Sequence, residues 1–129
     1  MMSRASTREG KVAEFRDAAG KKPFLEDPSE ATMINDCIDE EFEEFTEACL
    51  DFERNPYDPA LRAQLCKEWA DLQYVVSQAA LYYDIPADAS FNRVHASNMT
   101  KVVDGKLRFR EDGKILKPDT YQAPDMKGL

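Results

Sequence analysis

Two pairs of acidic residues constrain the fold of this chain more than any other feature, because each pair falls on the apolar face of a predicted helix. The first pair is Glu41 and Glu44, and the second is Glu68 and Asp71. At about 100° per residue, Glu41 and Glu68 project near the middle of an apolar stripe, while Glu44 and Asp71 lie at its edge. The stripes consist of Ile34, Ile38, Phe45, Ala48 and Phe52, and of Leu61, Leu65, Leu72, Val76, Ala79 and Tyr83.

Carboxylates that face a protein core are unstable there unless something compensates their charge. Each costs on the order of several kcal/mol when it is neither paired nor bound to a metal, and neighbouring carboxylates repel each other. A divalent cation with oxygen ligands removes both penalties. The alternative is that these helices are simply acidic and that the phase of the stripes is off by one residue. We interpret the neighbouring acids Glu40, Glu43 and Glu47 in that simpler way, as solvent-facing side chains.

The charge distribution limits the possible partners. The net charge is −8, with eleven acids and no Lys or Arg from Asp27 to Glu53, and seven bases against five acids from Lys101 onward. Binding to a nucleic acid needs a basic surface, so we expect no nucleic-acid partner. A small polyanion remains compatible with the chain if metal ions offset the carboxylates and the basic tail reaches the site.

The sequence carries no apolar run of membrane-spanning length and no apolar signal segment, so we expect no membrane association. The odd number of cysteines (Cys37, Cys49 and Cys66) argues against a disulfide framework and favours a reducing cytoplasm. We expect all three to pack in the core.

Start and stop signals predict four helices in one domain of 129 residues. Ser6 with Glu9 resembles a capping box for a first helix that ends at Gly20. Asp27-Pro28 and Asp58-Pro59 predict the starts of two long helices, which end near Glu53 and near Tyr83. A fourth helix follows from about Asp88. The fold class is therefore all-α, a four-helix-bundle type of core over residues 6–101.

The chain after the fourth helix reads as a flap or tail over residues 102–129, with a short hairpin around Asp112-Gly113 or an extended course. Asn98 lies near the centre of one face of the fourth helix, with Lys101 on its flank one turn later. A buried amide without a partner costs roughly 1–3 kcal/mol, so Asn98 is either a functional group or the C-terminal cap of its helix.

Four oxygen ligands without a matching set of His or Cys favour Mg²⁺, or Mn²⁺ as a substitute, over zinc. A di-iron bundle requires Glu-x-x-His, but His95 is preceded at that spacing by Asn92. The sequence contains no phosphate loop, Gly-rich nucleotide motif or Ser–His–Asp set. Magnesium held by a few carboxylates is suited to a polyphosphate substrate.

Three segments together resemble the MazG-like all-α nucleoside triphosphate pyrophosphohydrolase superfamily, in particular its phosphoribosyl-ATP pyrophosphohydrolase-like and dUTPase-like branch. They are Glu40-Glu41-x-x-Glu44 followed after 23 residues by Glu68-x-x-Asp71, the segment from Val94 to Lys101, and Asp112-Gly113-Lys114-x-Leu116-Lys117-Pro118 with Pro124-Asp125.

The resemblance implies hydrolysis of a nucleoside triphosphate, preferentially a deoxynucleotide, to the monophosphate and pyrophosphate. It assigns Glu41, Glu44, Glu68 and Asp71 to the metal, and Glu40, beside Glu41, to the attacking water. It assigns Asn98, Lys101, Lys114, Lys117 and Tyr121 to the substrate. It also implies a homodimer or homotetramer with the site near the subunit interface.

Two alternatives stay open at this point. One is hydrolysis of phosphoribosyl-ATP, and the other is a non-catalytic sensor that binds a nucleotide and metal without turnover.

Overall fold

The computed structural model describes residues 6–129, and its regular elements are helices. They are α1 (Arg8–Ala18), α2 (Ala31–Arg54), α3 (Pro59–Tyr82) and α4 (Ala87–Met99), with a short 3-10 turn, Pro28–Glu30, before α2. Within the described residues there is no β-strand, so the all-α prediction is confirmed. None of the helices in this part of the chain is long and apolar enough to cross a bilayer.

The start of α3 follows the predicted signal, because the Asp58 carboxylate accepts from the Ala60 N–H at 2.8 Å. The Asp27 carboxylate accepts from the Ser29 N–H, but it caps the short 3-10 turn, and α2 itself begins later than predicted, at Ala31 after Glu30. For α1 the prediction of Ser6 as the cap is wrong by one residue, because the Thr7 hydroxyl accepts from the Gly10 N–H at 2.9 Å.

The chain divides into two compact units, one ending at Ile85 and the other running from Pro86 to Leu129. In the first unit α3 packs against both α1 and α2. The buried apolar side chains of this unit are Val12, Ala13, Ile34, Ala48 and Tyr82. All three helices therefore contribute to its core, with α3 between the other two.

The C-terminal half of α3 buries a different set of side chains from the one the stripe predicts. Val76 and Tyr83 are 45% and 38% exposed, while Ser77 and Tyr82 are buried. The Ser77 hydroxyl donates to Glu9 Oε1 on α1 at 3.2 Å, and the Tyr82 hydroxyl donates to the carbonyl oxygen of Asp27 at 2.7 Å. Contacts with α1 and with the loop before α2 thus bury positions adjacent to the predicted ones, Ser77 after Val76 and Tyr82 before Tyr83, and the predicted stripe is wrong here.

Arg16 is a buried charged side chain of α1 that lies beside Tyr82. Its guanidinium lies 5.7 Å from the centre of the Tyr82 ring, donates to the carbonyl oxygen of Lys22 at 3.1 Å and lies 4.0 Å from Glu30 Oε2. Because an unpaired buried charge is strongly destabilising, these partners allow Arg16 to remain buried at 5% exposure.

The second unit consists of α4 and the tail that follows it. The Ser97 hydroxyl donates to the carbonyl oxygen of Gln122 at 2.6 Å, and the Thr100 hydroxyl accepts from the Gln122 N–H at 2.9 Å. Two side chains at the end of α4 therefore hold the last part of the tail.

Two tight turns shape the tail between these points. Asp104 and Gly105 both have positive φ and connect Val103 to Lys106, the two-residue hairpin geometry that Asp-Gly favours. Phe109 pairs with Ile115 across the predicted turn that contains Gly113. The tail is thus partly hairpin-like, with isolated bridges in place of strands.

The three cysteines are free thiols. Cys37 and Cys49 are half-buried, but Cys66 is exposed, so the expectation of core packing is wrong for Cys66. Cys66 lies two residues before Glu68 on α3, so the two side chains are on different faces of the helix. Glu68 is on the face toward α2, and Cys66 is therefore directed away from it.

Candidate metal centre

Three of the four predicted metal ligands meet between α2 and α3. Glu41 and Glu44 lie one turn apart on α2, and Glu68 reaches them from α3. One carboxylate oxygen of each residue lies within 4.8 Å of one oxygen of both others. This separation is small enough for a single cation to contact all three after minor side-chain rotation. We call Glu41, Glu44 and Glu68 the carboxylate cluster.

Burial distinguishes this cluster from an ordinary acidic surface. Glu68 is 4% exposed, and Glu41 is half-buried, as their positions in the apolar stripes predict. Glu41 Oε2 and Glu68 Oε2 are inaccessible to solvent, and neither has a hydrogen-bond partner among residues 6–129. A buried charged oxygen without a partner is strongly unfavourable, so these two oxygens are suited to binding a cation.

The third member of the cluster, Glu44, is exposed, and its pKa is shifted by its neighbours. The negative charge of Glu41 raises the pKa of Glu44 above its ordinary value, and desolvation and the charge of Glu68 act in the same direction. Like charges at this distance favour the protonated form of one member. A cation bound in the cluster would reverse that effect.

Asp71, the fourth predicted ligand, is not one of the three clustered carboxylates. It lies one turn beyond Glu68 on α3, and its Oδ2 accepts from the Lys67 ammonium at 2.9 Å. Lys67 also donates to Glu68 Oε1 at 3.3 Å. These two carboxylates, Asp71 first, raise the pKa of Lys67, so this side chain stays positively charged.

Two residues in contact with Glu68 were missed at the level of sequence. Lys67 donates to Glu68 and Asp71, and Gln64 Nε2 donates to Glu68 Oε1 at 2.6 Å. The signal was present, since Gln64 precedes Glu68 by four residues and Lys67 precedes Asp71 by four, the spacing at which helical side chains meet.

A cavity of about 340 Å³ opens beside the cluster on the same two helices. It is lined by Glu44, Glu47, Ala48, Asp51, Gln64, Lys67 and Glu68. Glu40, the predicted partner of the attacking water, is exposed on α2, and Glu43 and Glu47 are exposed as expected. A ligand at this cavity would meet mainly acidic side chains, so an anionic ligand there requires cations.

The second unit groups four of the predicted substrate-binding residues. The Lys101 ammonium donates to Asn98 Oδ1 at 3.2 Å. The ammonium groups of Lys101 and Lys117 lie 5.5 and 5.1 Å from the centre of the Tyr121 ring. Lys114 is exposed, and its backbone N–H donates to Asp112 Oδ1.

Asn98 is not a helix cap. The C-terminal cap of α4 is Thr100, and Asn98 is exposed in the last turn with its carbonyl group on Lys101. The alternative of a capping role is therefore wrong.

The comparison with protein families agrees with the arrangement of these helices and acids. A family model described as phosphoribosyl-ATP pyrophosphohydrolase matches residues 12–98. The chain belongs to this family. The match runs from the middle of α1 to the last turn of α4, so it includes both acid pairs and Asn98, and it ends before Lys101 and the tail. Family membership supports a nucleotide pyrophosphohydrolase activity in general, which makes this protein a hydrolase of the MazG-like all-α superfamily. The comparison with curated proteins gave no significant match.

Proposed function

We propose that this phosphoribosyl-ATP pyrophosphohydrolase family member is a Mg²⁺-dependent nucleoside triphosphate pyrophosphohydrolase. It converts a nucleoside triphosphate, preferentially a deoxynucleoside triphosphate, to the monophosphate and pyrophosphate. The observation that carries this proposal is the carboxylate cluster, with two buried oxygens that have no hydrogen-bond partner within the described residues.

The donor set fits a hard divalent cation. Carboxylate oxygens alone, without His or Cys, are the ligands of Mg²⁺ and of Mn²⁺, which we expect to substitute for it. Glu41, Glu44 and Glu68 would hold the ion, and Asp71 would complete the set. When bound, such an ion supplies Lewis acidity to the phosphoryl oxygens and neutralises their charge.

The chain's own acids serve the reaction in distinct ways. Glu41, Glu44 and Glu68 would hold the cation, which would supply the positive charge that a triphosphate needs in this acidic cleft. Glu40 is exposed on α2 beside Glu41, where its carboxylate can accept a proton from water. Water attacks one phosphorus of the anhydride between the α- and β-phosphates. As its oxygen bonds to that phosphorus, the bond from the same phosphorus to the bridging oxygen breaks, and the bridging oxygen leaves with the electron pair on the departing phosphate group. One proton of the water passes to Glu40, and the other stays on the newly bonded oxygen.

Positively charged side chains of the second unit are our candidates for binding the triphosphate. We assign Asn98, Lys101, Lys114, Lys117 and Tyr121 to substrate binding. Lys101 and Lys117 lie against one aromatic ring, which keeps two like charges close together on a mostly acidic protein. A polyphosphate is the class of anion that such a pair would bind most strongly.

We further propose that the enzyme is a homodimer or homotetramer. Six large apolar side chains on α2 and α3 are exposed, and removing them from water at a subunit interface would favour self-association. They are Met33, Phe42, Leu50, Trp69, Tyr74 and Val76. Light scattering during gel filtration tests this, and a monomer across micromolar concentrations would contradict it.

Phosphoribosyl-ATP is the second candidate substrate, and the description of the matching family favours it. It contains the same kind of anhydride and would use the same carboxylates. Because the cluster would bind the phosphates of either substrate through a cation, its acid residues alone do not distinguish the two substrates.

Pyrophosphate release from a panel of NTPs, dNTPs and phosphoribosyl-ATP tests both candidates together. Each substrate is assayed with Mg²⁺, with Mn²⁺ and with a chelator. We expect metal-dependent release with one favoured deoxynucleotide. Release from phosphoribosyl-ATP alone would replace the leading proposal with the second, and nucleotide binding without release would indicate a sensor.

A further inference from the structure

The side chain of Lys67 lies between two of the proposed metal ligands. Its ammonium is 3.3 Å from Glu68 Oε1 and 2.9 Å from Asp71 Oδ2. Glu68 and Asp71 are successive acids on one face of α3 and would repel each other without a cation between them. Lys67 therefore acts as an internal counter-ion for this half of the site.

The two oxygens of Glu68 have different surroundings. Oε1 accepts hydrogen bonds from Gln64 and Lys67, whereas Oε2 is buried and has no such partner among the described residues. One oxygen of Glu68 also lies within 4.8 Å of those of Glu41 and Glu44. One carboxylate thus connects the cluster with Lys67, and through Lys67 with Asp71.

We propose that Lys67 is a positioning residue that competes with the divalent cation for Asp71. It holds Asp71 and Glu68 in place before metal binds, so that Glu41, Glu44 and Glu68 take the cation first. Asp71 becomes a ligand only when Lys67 releases it. This inference rests on the proposed metal site and adds an order of ligand binding to it.

The exposure of Lys67 makes such a release feasible. Its side chain is 63% exposed, and that of Asp71 is 39% exposed. Ion pairs in contact with solvent are weak, and the lysine side chain is flexible, so its ammonium can move into water when a doubly charged ion approaches. A fully buried pair would resist the exchange.

Binding of Mn²⁺ alone to the full chain, measured by calorimetry and by the loss of the free-ion electron paramagnetic resonance signal, tests this inference without any nucleotide. The variants are Lys67→Met, Lys67→Gln, Lys67→Arg, Asp71→Asn and the double variant Lys67→Met/Asp71→Asn. Arg62→Met is the matched control, because it removes a positive charge from α3 whose guanidinium lies near the Phe52 ring.

Removal of the competing ammonium should tighten Mn²⁺ binding about fivefold in Lys67→Met and Lys67→Gln, the effect expected for losing one solvent-exposed ion pair. Lys67→Arg and Arg62→Met should bind Mn²⁺ close to the wild-type affinity. In the Asp71→Asn background the gain from Lys67→Met should shrink, because the residue for which Lys67 competes is then uncharged.

Unchanged or weaker Mn²⁺ binding by Lys67→Met would overturn the inference while leaving the metal site intact. An equal gain in both backgrounds would also overturn it, since Lys67 would then act only through total charge. Absence of Mn²⁺ binding in the wild type and in every variant would remove the proposed metal site together with this inference.

Discussion

Glu41 raises the pKa of Glu44, which lies three residues further along α2. The folded chain therefore holds a proton on Glu44 more tightly than the unfolded chain does. Such a group contributes stability that is fully present below its unfolded pKa and is lost as the pH rises through its folded pKa. The carboxylate cluster is thus a source of instability at neutral pH when no cation is bound.

The first prediction concerns stability against pH in the presence of a chelator. As the pH rises above the ordinary Glu value of 4.5, wild-type protein should lose stability more steeply than Glu44→Gln, which has no proton to lose. Urea unfolding at a series of pH values measures the difference. Glu43→Gln, an exposed acid on the same helix, serves as the control and should follow the wild type. Parallel curves for Glu44→Gln and wild type would show that the repulsion does not affect folding.

The second prediction concerns the two acids at the centre of the stripes. Glu41→Gln and Glu68→Gln should each reduce pyrophosphate release at least about 100-fold. Replacing a residue that only hydrogen-bonds to a metal ligand typically costs about 10–100-fold in activity, and replacing the ligand itself should cost more. Their circular dichroism should remain helical. In wild type, Mg²⁺ should raise the melting temperature by selective binding to the folded state, and this rise should disappear in both variants.

Glu43→Gln again provides the matched control for this experiment, since Glu43 is exposed and outside the cluster. Full activity in either Glu41→Gln or Glu68→Gln would exclude the proposed metal centre.

Local signals in the sequence were sufficient for most of the helix boundaries. Asp27, Asp58 and Asn55, which follows the last residue of α2, act through contacts with residues two to four positions away, so the neighbouring sequence is enough to predict their effect. The same holds for Glu41 and Glu68, whose periodic position within apolar stripes predicted their burial. These features depend on helix geometry alone.

Features that depend on distant residues were not readable in this way. Tyr82 is buried because its hydroxyl meets Asp27, 55 positions earlier, and Ser77 is buried against Glu9, 68 positions earlier. The same applies to the second unit, where the end of α4 binds Gln122. Hydrophobic periodicity predicts which face of a helix is buried, but it does not predict which distant segment packs against each turn of that face.

The third prediction tests the contribution of the Tyr82 hydroxyl. This side chain has no measurable exposure, and its hydroxyl donates to the Asp27 carbonyl oxygen at 2.7 Å. Tyr82→Phe would leave that carbonyl oxygen without this donor, so we expect the free energy of unfolding to fall by about 1–2 kcal/mol. Tyr57→Phe, at a 93% exposed position, should change it negligibly. Equal stabilities of the two variants in urea would contradict the assigned role of the hydrogen bond.

The fourth prediction concerns the lysine pair on Tyr121. If Lys101 and Lys117 bind the triphosphate, Lys101→Met and Lys117→Met should each raise KM for the favoured substrate about tenfold or more, since charge-assisted bonds contribute roughly 1.5–3 kcal/mol. Tyr121→Leu removes the ring that both ammonium groups approach, and should raise KM by a smaller factor, because exposed cation–π contacts contribute about 0.5–1 kcal/mol. Tyr121→Phe keeps the ring and should behave like wild type.

The control for the lysine variants is Lys106→Met, which replaces a lysine of the tail at the turn formed by Asp104 and Gly105. Unchanged KM values for both lysine variants, with kcat also unchanged, would remove this part of the tail from the substrate site.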